Sequence, residues 1–183
     1  MNIFVLDNDI VACAQAHCDR HVVKMTLECA QLLSTTCRLE GLEAGYRVTH
    51  PNHPSALWTR ASLANYLWLL GLGLALAEEY TFRYGKRHRS AEVMAALPVP
   101  GLPDIGRTPF VQVLPERYRQ DNAVLAYRTY YLEEKRSFAT WTRRPPPPPP
   151  DGRKAEISGL FATDFLPLPC PFLRGSAQPL TTP

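Results

Sequence analysis

A chain of 183 residues is long enough to bury one real core and too short for two ordinary domains. Its 45% hydrophobic and 20% charged residues sit near globular averages, which excludes a chain too polar to fold alone. A formal net charge of +3 neither demands nor excludes nucleic acid, because phosphate contact depends on where Lys and Arg cluster.

The opening MNIFVLDND lacks the basic run, apolar stretch and small-residue end of a secretory signal. Residues 2–6 suit a short strand or extended lead-in, and Asp7, Asn8 and Asp9 then offer helix caps. Residues 11–39 contain no Pro or Gly and end before Gly41 and Gly45, so one long helix or a broken pair covers them. A loop follows to His53, and Pro54 suits the first turn of a second helix running to about Arg83. That helix is apolar on nearly every azimuth, as expected of one enclosed by others. Gly71 and Gly73 inside it mark close packing or a kink.

Ser90 caps a short third helix, residues 98–109 form a Pro- and Gly-containing loop, and Asp121 begins the last clear helix. The inner side of that helix carries Val124, Leu125, Tyr127, Tyr131 and Phe138. Six prolines, Pro145 to Pro150, form a stiff extended spacer, and the Pro-rich tail beyond them is expected to be partly disordered or laid across the surface. The expected architecture is therefore mainly α: a compact single-domain helical bundle, residues 1–144, with a short N-terminal extended segment and a Pro-rich C-terminal tail, residues 145–183.

Five cysteines, Cys13, Cys18, Cys29, Cys37 and Cys170, form an odd set without a CxxC pair and read as free thiols of a reducing compartment. The most apolar window, residues 67–77, falls short of the roughly 20 residues that span a bilayer. A cytoplasmic protein with no membrane partner is expected.

At about 100° per residue, His17, His21, Lys24, Glu28, Gln31 and Thr35 share an arc of roughly 80° on the first helix. Apolar residues flank this polar line on both sides, Cys18, Val22, Met25, Cys29 and Leu32 on one and Val23, Leu27 and Ala30 on the other. A polar line between apolar walls is what a pocket-lining helix presents, although a solvated stripe gives the same periodicity. Lys24 and Glu28 are spaced for an amine whose proton a carboxylate holds or relays, with Lys24 as nucleophile or phosphate clamp and Glu28 as acid/base. His17 and His21, polar site groups on this reading, also have the i, i+4 spacing of two imidazoles on one Zn²⁺ or other divalent metal. The glutamate of an HExxH motif is replaced by Cys18, however, so no cofactor is the first expectation.

Three further groups are candidates for substrate binding. His53, with His50, precedes a helix start where an anion can bind, and Trp58 and Asn65 follow on that helix. Asn65 among Leu63, Leu67 and Trp68 is either a structural hydrogen-bond hub or a site group. The segment EEYTFRYGKRHR concentrates Arg83, Lys86, Arg87 and Arg89 beside Tyr84, a pattern that serves phosphate and base contact or merely complements a helix C-terminus.

The stretches HCDRHVVKMTLECAQLLST, NHPSALWTRASLANYLWL and EEYTFRYGKRH together resemble a family of uncharacterised proteins common in tailed phages and some bacteria, over residues 1–144. In outline, a histidine-containing first helix bearing a glutamate, an HP-type turn and a long second helix are also similar to the phage pyrimidine-dimer DNA glycosylases of the endonuclease V type. That resemblance implies a helical protein that flips a nucleotide and attacks the sugar C1′ with an amine, Glu28 taking the carboxylate role. The amine of those enzymes is the N-terminal one, exposed after Met removal before a small residue. Here Met1 precedes Asn2, which would leave Lys24 as the amine. The expected function is thus DNA or nucleotide processing at a base or glycosidic bond, glycosylase- or lyase-like, with DNA as partner. The alternatives are a metal-dependent hydrolase using His17 and His21, and a non-enzymatic module binding nucleic acid or a host protein.

Overall fold

The structure, a computed structural model, describes residues 1–150. The tail after Pro150 and Cys170 lie outside the described residues. Among those residues there are six α-helices and no strand: α1 (Ile10–Ala16), α2 (Asp19–Leu39), α3 (Pro54–Ala61), α4 (Leu63–Tyr84), α5 (Arg89–Ala95) and α6 (Ala123–Glu134), with a 3₁₀ turn at Glu116–Tyr118. The mainly α expectation holds. Helices α2 and α4 form the central pair; α1 packs on α4, α5 on both, and α3 against α2 and α4.

Residues 11–39 form the broken pair rather than one helix. His17 and Cys18 adopt extended backbone between α1 and α2, and Cys18 offers no side-chain cap. The freed amides find partners far along the chain: Cys18 N–H donates to the Tyr131 hydroxyl at 2.9 Å and Asp19 N–H to the Thr140 carbonyl at 2.8 Å. A break whose orphan donors are satisfied only by tertiary contacts leaves no local mark in the sequence.

The second expected helix is likewise two. Ser62 is extended, its hydroxyl accepts from Asn65 N–H, and α3 meets α4 at a bend of 115°. No single helix among the described residues is long and apolar enough to cross a membrane, although the bent α3–α4 pair passes on length and composition together. Gly73 marks the central crossing: a Cβ there would meet Met94 Sδ at 2.5 Å and Cys29 Cβ at 3.0 Å, so only hydrogen lets α4 approach α2 and α5 this closely. The cap of α5 is His88, whose ring accepts from Ser90 N–H, rather than Ser90; that of α6 is Asn122.

Residues 2–6 run extended between α2 and α6 with no strand partner. Ile3, Phe4, Val5 and Leu6 are all buried, where a half-buried strand would alternate. Phe4 stacks on His21 of α2 at 4.7 Å and meets Tyr127 and Tyr131 of α6 edge to face, and Arg128 of α6 donates to the Leu6 carbonyl at 2.6 Å. Cys13, Cys18, Cys29 and Cys37 are free and buried. Past α6 the chain returns to the start of α2, where Thr140 and Thr142 hydroxyls donate to Asp19 and the Trp141 ring N–H donates to the Ala16 carbonyl at 3.1 Å.

Candidate functional site

Glu28 lies midway along α2 at the edge between its solvent side, Arg20, Val23, Lys24 and Leu27, and its buried side. The carboxylate is buried under the N-terminal dipeptide. Asn2 N–H donates to Oε2 at 2.9 Å, while the Met1 α-amino nitrogen stands 3.8 Å from Oε1 and Lys24 Nζ 3.3 Å from the same oxygen. One carboxylate oxygen is thus fixed by an amide and the other faces two amines.

These two amines differ in how they are held. The Lys24 side chain is 64% exposed, a long flexible arm reaching in from solvent. The Met1 side chain is 5% exposed although the residue as a whole is half-buried, so the remaining exposure belongs to the main chain around its amine. Asn2 anchors that amine further: its Nδ2 donates to the Val113 carbonyl at 3.0 Å and its Oδ1 accepts from the Tyr127 hydroxyl at 2.9 Å. The same hydroxyl takes the Val113 N–H at 3.1 Å. Chain ends usually fray, and this one is held by groups from α2, α6 and the segment before α6.

The helix break removes His17 from the polar stripe, because the 100° spacing does not carry through two extended residues. His17 is fully buried, its Nδ1 2.7 Å from the Cys13 carbonyl and its Nε2 without a partner. His21 stays on the azimuth of Glu28, two turns away, with Nδ1 2.7 Å from the Tyr131 hydroxyl and its face on Phe4. Burial pushes His17 down to about 4 and His21 down to about 3, the latter lowered further by the nearby His17, Lys135 and Lys24. Both rings are neutral at pH 7 and serve the packing between α2 and α6. Among the described residues no three His, Cys, Asp or Glu side chains are grouped to hold a metal ion.

His53 does reach the Glu28 region. It caps α3 by accepting Ser55 N–H on Nδ1 at 3.1 Å, which leaves the ring proton on Nε2. Burial lowers its pKa first, then the positive charges of the Met1 amine and His50, against a raising pull from Glu28. Trp58 is buried and its ring N–H donates to the Pro109 carbonyl at 2.9 Å. Asn65 is fully buried and fully used: Nδ2 donates to the Trp58 carbonyl at 2.7 Å and Thr108 Oγ1 at 2.8 Å, and Oδ1 accepts from Thr108 N–H at 2.9 Å. Of the two roles open to it in the sequence, these contacts are those of the structural hub.

Arg83, expected to hold phosphate, is inaccessible. Its guanidinium is buried against Glu79 at 2.7 Å, Asp19 at 2.9 Å and the Gln15 carbonyl at 3.0 Å. Burial raises the Glu79 and Asp19 carboxyls, but hydrogen bonds from Arg144 and Arg83 on the first, and from Thr142, Arg83 and Thr140 on the second, hold both below their ordinary values. Arg83 therefore ties α4 to the α1–α2 break. Tyr84 is exposed at its edge and donates to the Asp19 carbonyl at 3.3 Å. Lys86, Arg87 and Arg89 are exposed. Their turn is pinned beside α2, where His88 Nε2 meets the Val23 carbonyl at 3.2 Å, one residue from Lys24.

The residues that periodicity missed are Met1 and Asn2, which no spacing marks because each joins Glu28 through folding; spacing put Tyr127 on the inner side of the last helix but gave no sign that its hydroxyl meets Asn2. No family model matches the chain, and neither a curated protein nor a solved structure matches it.

Proposed function

We propose that this chain processes DNA at a base or glycosidic bond, as a glycosylase or lyase whose nucleophile is an amine beside Glu28. The observation that carries the reading is the single buried carboxylate with an amide on one oxygen and two amines, Met1 at 3.8 Å and Lys24 at 3.3 Å, on the other. The amine lone pair attacks the sugar C1′ and the base departs with the electrons of its C1′–N bond. Glu28 takes the proton that the amine sheds and returns it when the sugar ring opens to an imine.

We assign the attack to Met1. Its amine is held in place by Asn2, which supplies part of the orientation such a reaction needs, and α-amines as a class are less basic than lysine amines. Lys24 then joins Arg20, Lys86, Arg87 and Arg89 as an exposed cationic group along the α2 surface, fit for phosphates. His53, close enough to Glu28 to feel its charge, offers an Nε2–H in the same region.

Borohydride trapping on abasic DNA tests this. Wild type is expected to give a reduced covalent adduct whose modified peptide contains Met1, and Glu28→Gln to slow trapping at least ~100-fold with binding retained. An adduct on Lys24 would move the nucleophile, and no adduct at all would sink the lyase reading. A second reading, a nucleic-acid-binding module without catalysis, is favoured by the exposed turn of Lys86, Arg87 and Arg89. It predicts DNA binding with no adduct in any variant.

A further inference from the structure

From Leu63 to Ala75, every α4 position that is not buried carries an aliphatic side chain or is Gly71. At about 100° per residue, Leu63, Leu67, Leu70 and Leu74 fall within roughly 60° of one another, and Leu67 is 46% exposed. The side of a helix turned from its core ordinarily carries charge; here the first charged side chain is Glu78, exposed one turn beyond Leu74. A continuous apolar face of this kind marks a surface that something covers.

Its dimensions select the occupant. The helix rises about 18 Å from Leu63 to Ala75 and is about 10 Å wide, so the face offers roughly 200 Å². A stable interface with a second copy takes about 800 Å² from each partner. One extended segment of chain, by contrast, is no wider than the face. The described chain also ends beside the same helix. Arg143 donates to the Phe82 carbonyl at 2.9 Å, and the Arg144 guanidinium lies 4.3 Å over the Phe82 ring, itself exposed one turn past Glu78. Pro147, Pro149 and Pro150 are half-buried, so the proline run stays against the body.

We propose that residues 165–173 of this chain, FLPLPCPFL, dock along the apolar face of α4 with Arg174 on Glu78. The run holds no charged or hydroxyl side chain, and Asp164 and Arg174 bound it. Pro167, Pro169 and Pro171 carry no N–H, so in extended form the run strands fewer amides against an apolar face than an ordinary strand does. Residues 151–164 reach up to about 46 Å, which exceeds the roughly 29 Å of helix between Phe82 and Leu63. Phe165 therefore meets the Leu63 end, and the run returns toward Phe82. At roughly 3.1 Å per residue it covers about 28 Å, enough to bring Arg174 to the one charged group on that side of the helix.

The test places a benzophenone amino acid at the exposed position 67 of the full chain and reads, after irradiation of a dilute sample, which peptide it joins. A bond within one chain to the peptide containing residues 165–173 is expected. Leu168→Asp should nearly abolish it. Glu78→Arg should lower its yield about fivefold, and adding Arg174→Glu should restore it, a rescue that an unfolded variant would not give. Bonds between two chains would assign the face to a second copy and overturn the proposal. A bond to no part of residues 165–173, or a yield unmoved by Leu168→Asp, would overturn it as well. A yield unmoved by Glu78→Arg would overturn the Arg174 pairing and the direction of the run.

Discussion

His17 and His21 sit where a proton is unwelcome. From an ordinary value of 6.5, burial carries His17 to about 4 and His21 to about 3, so below pH 6.5 the unfolded chain binds protons that the folded chain refuses. The stability tied to these neutral rings is complete above pH 6.5 and drains away as pH falls toward 4. Each ring contributes a slope of at most about 1.4 kcal/mol per pH unit. Urea unfolding free energies are expected to be level from pH 7 to 8 and to fall below 6.5 by up to ~2.7 kcal/mol per unit, with His21→Gln removing about half of that slope. A level profile down to pH 4.5 would contradict the buried, neutral assignment. The depressed carboxyls of Asp19 and Glu79 act in the same direction in stronger acid, since protonation strips each of its arginine partner.

Asn65 connects the α3–α4 bend to Thr108 through two hydrogen bonds and to the Trp58 carbonyl of α3 through a third, and Ser62 caps α4 at the bend itself. Asn65→Ala is expected to cost about 2–3 kcal/mol in chemical denaturation, because it strands the buried Thr108 amide and Trp58 carbonyl. It should also open residues 103–109 to limited proteolysis, whereas Ser62→Ala should cost only about 1 kcal/mol and leave that segment protected. If both variants were cleaved alike, the staple would not be at Asn65.

Helix existence was legible because apolar spacing and Pro and Gly punctuation are local signals, and α4 and α6 follow from them directly. Where the breaks fall was not. The one at Cys18 is stabilised by Tyr131 and Thr140, more than a hundred residues away, and the burial of Arg83 depends on the same convergence of segments. Glu28 and Lys24 could be paired from their spacing on one helix. Met1 could not be, because an extended segment carries no azimuth, and only the folded path of residues 2–6 brings its amine to Glu28.

Charge acts over the whole molecule. Although the net charge is only +3, Arg20, Lys24, Lys86, Arg87 and Arg89 are exposed along α2 and the α4–α5 turn that His88 pins to it. On the proposed DNA reading, affinity is expected to fall with salt, and replacing Lys86, Arg87 and Arg89 by Gln to reduce the slope of log K against log[salt] by about 0.9 for each phosphate no longer neutralised. Arg83→Lys should leave that slope unchanged, since Arg83 meets protein on every side. A shallower slope in Arg83→Lys would mean that the buried network reaches the DNA.

The N-terminal tie also sets an order of events during synthesis. Asn2 touches Glu28, Val113 and Tyr127, so during synthesis it waits for partners that are made much later. At about 5–20 residues per second, that delay is roughly 6–25 s. Every shorter nascent chain has the carboxylate and the amine without the frame that aligns them, so on the proposed reading the site is assembled only by the step that completes the domain.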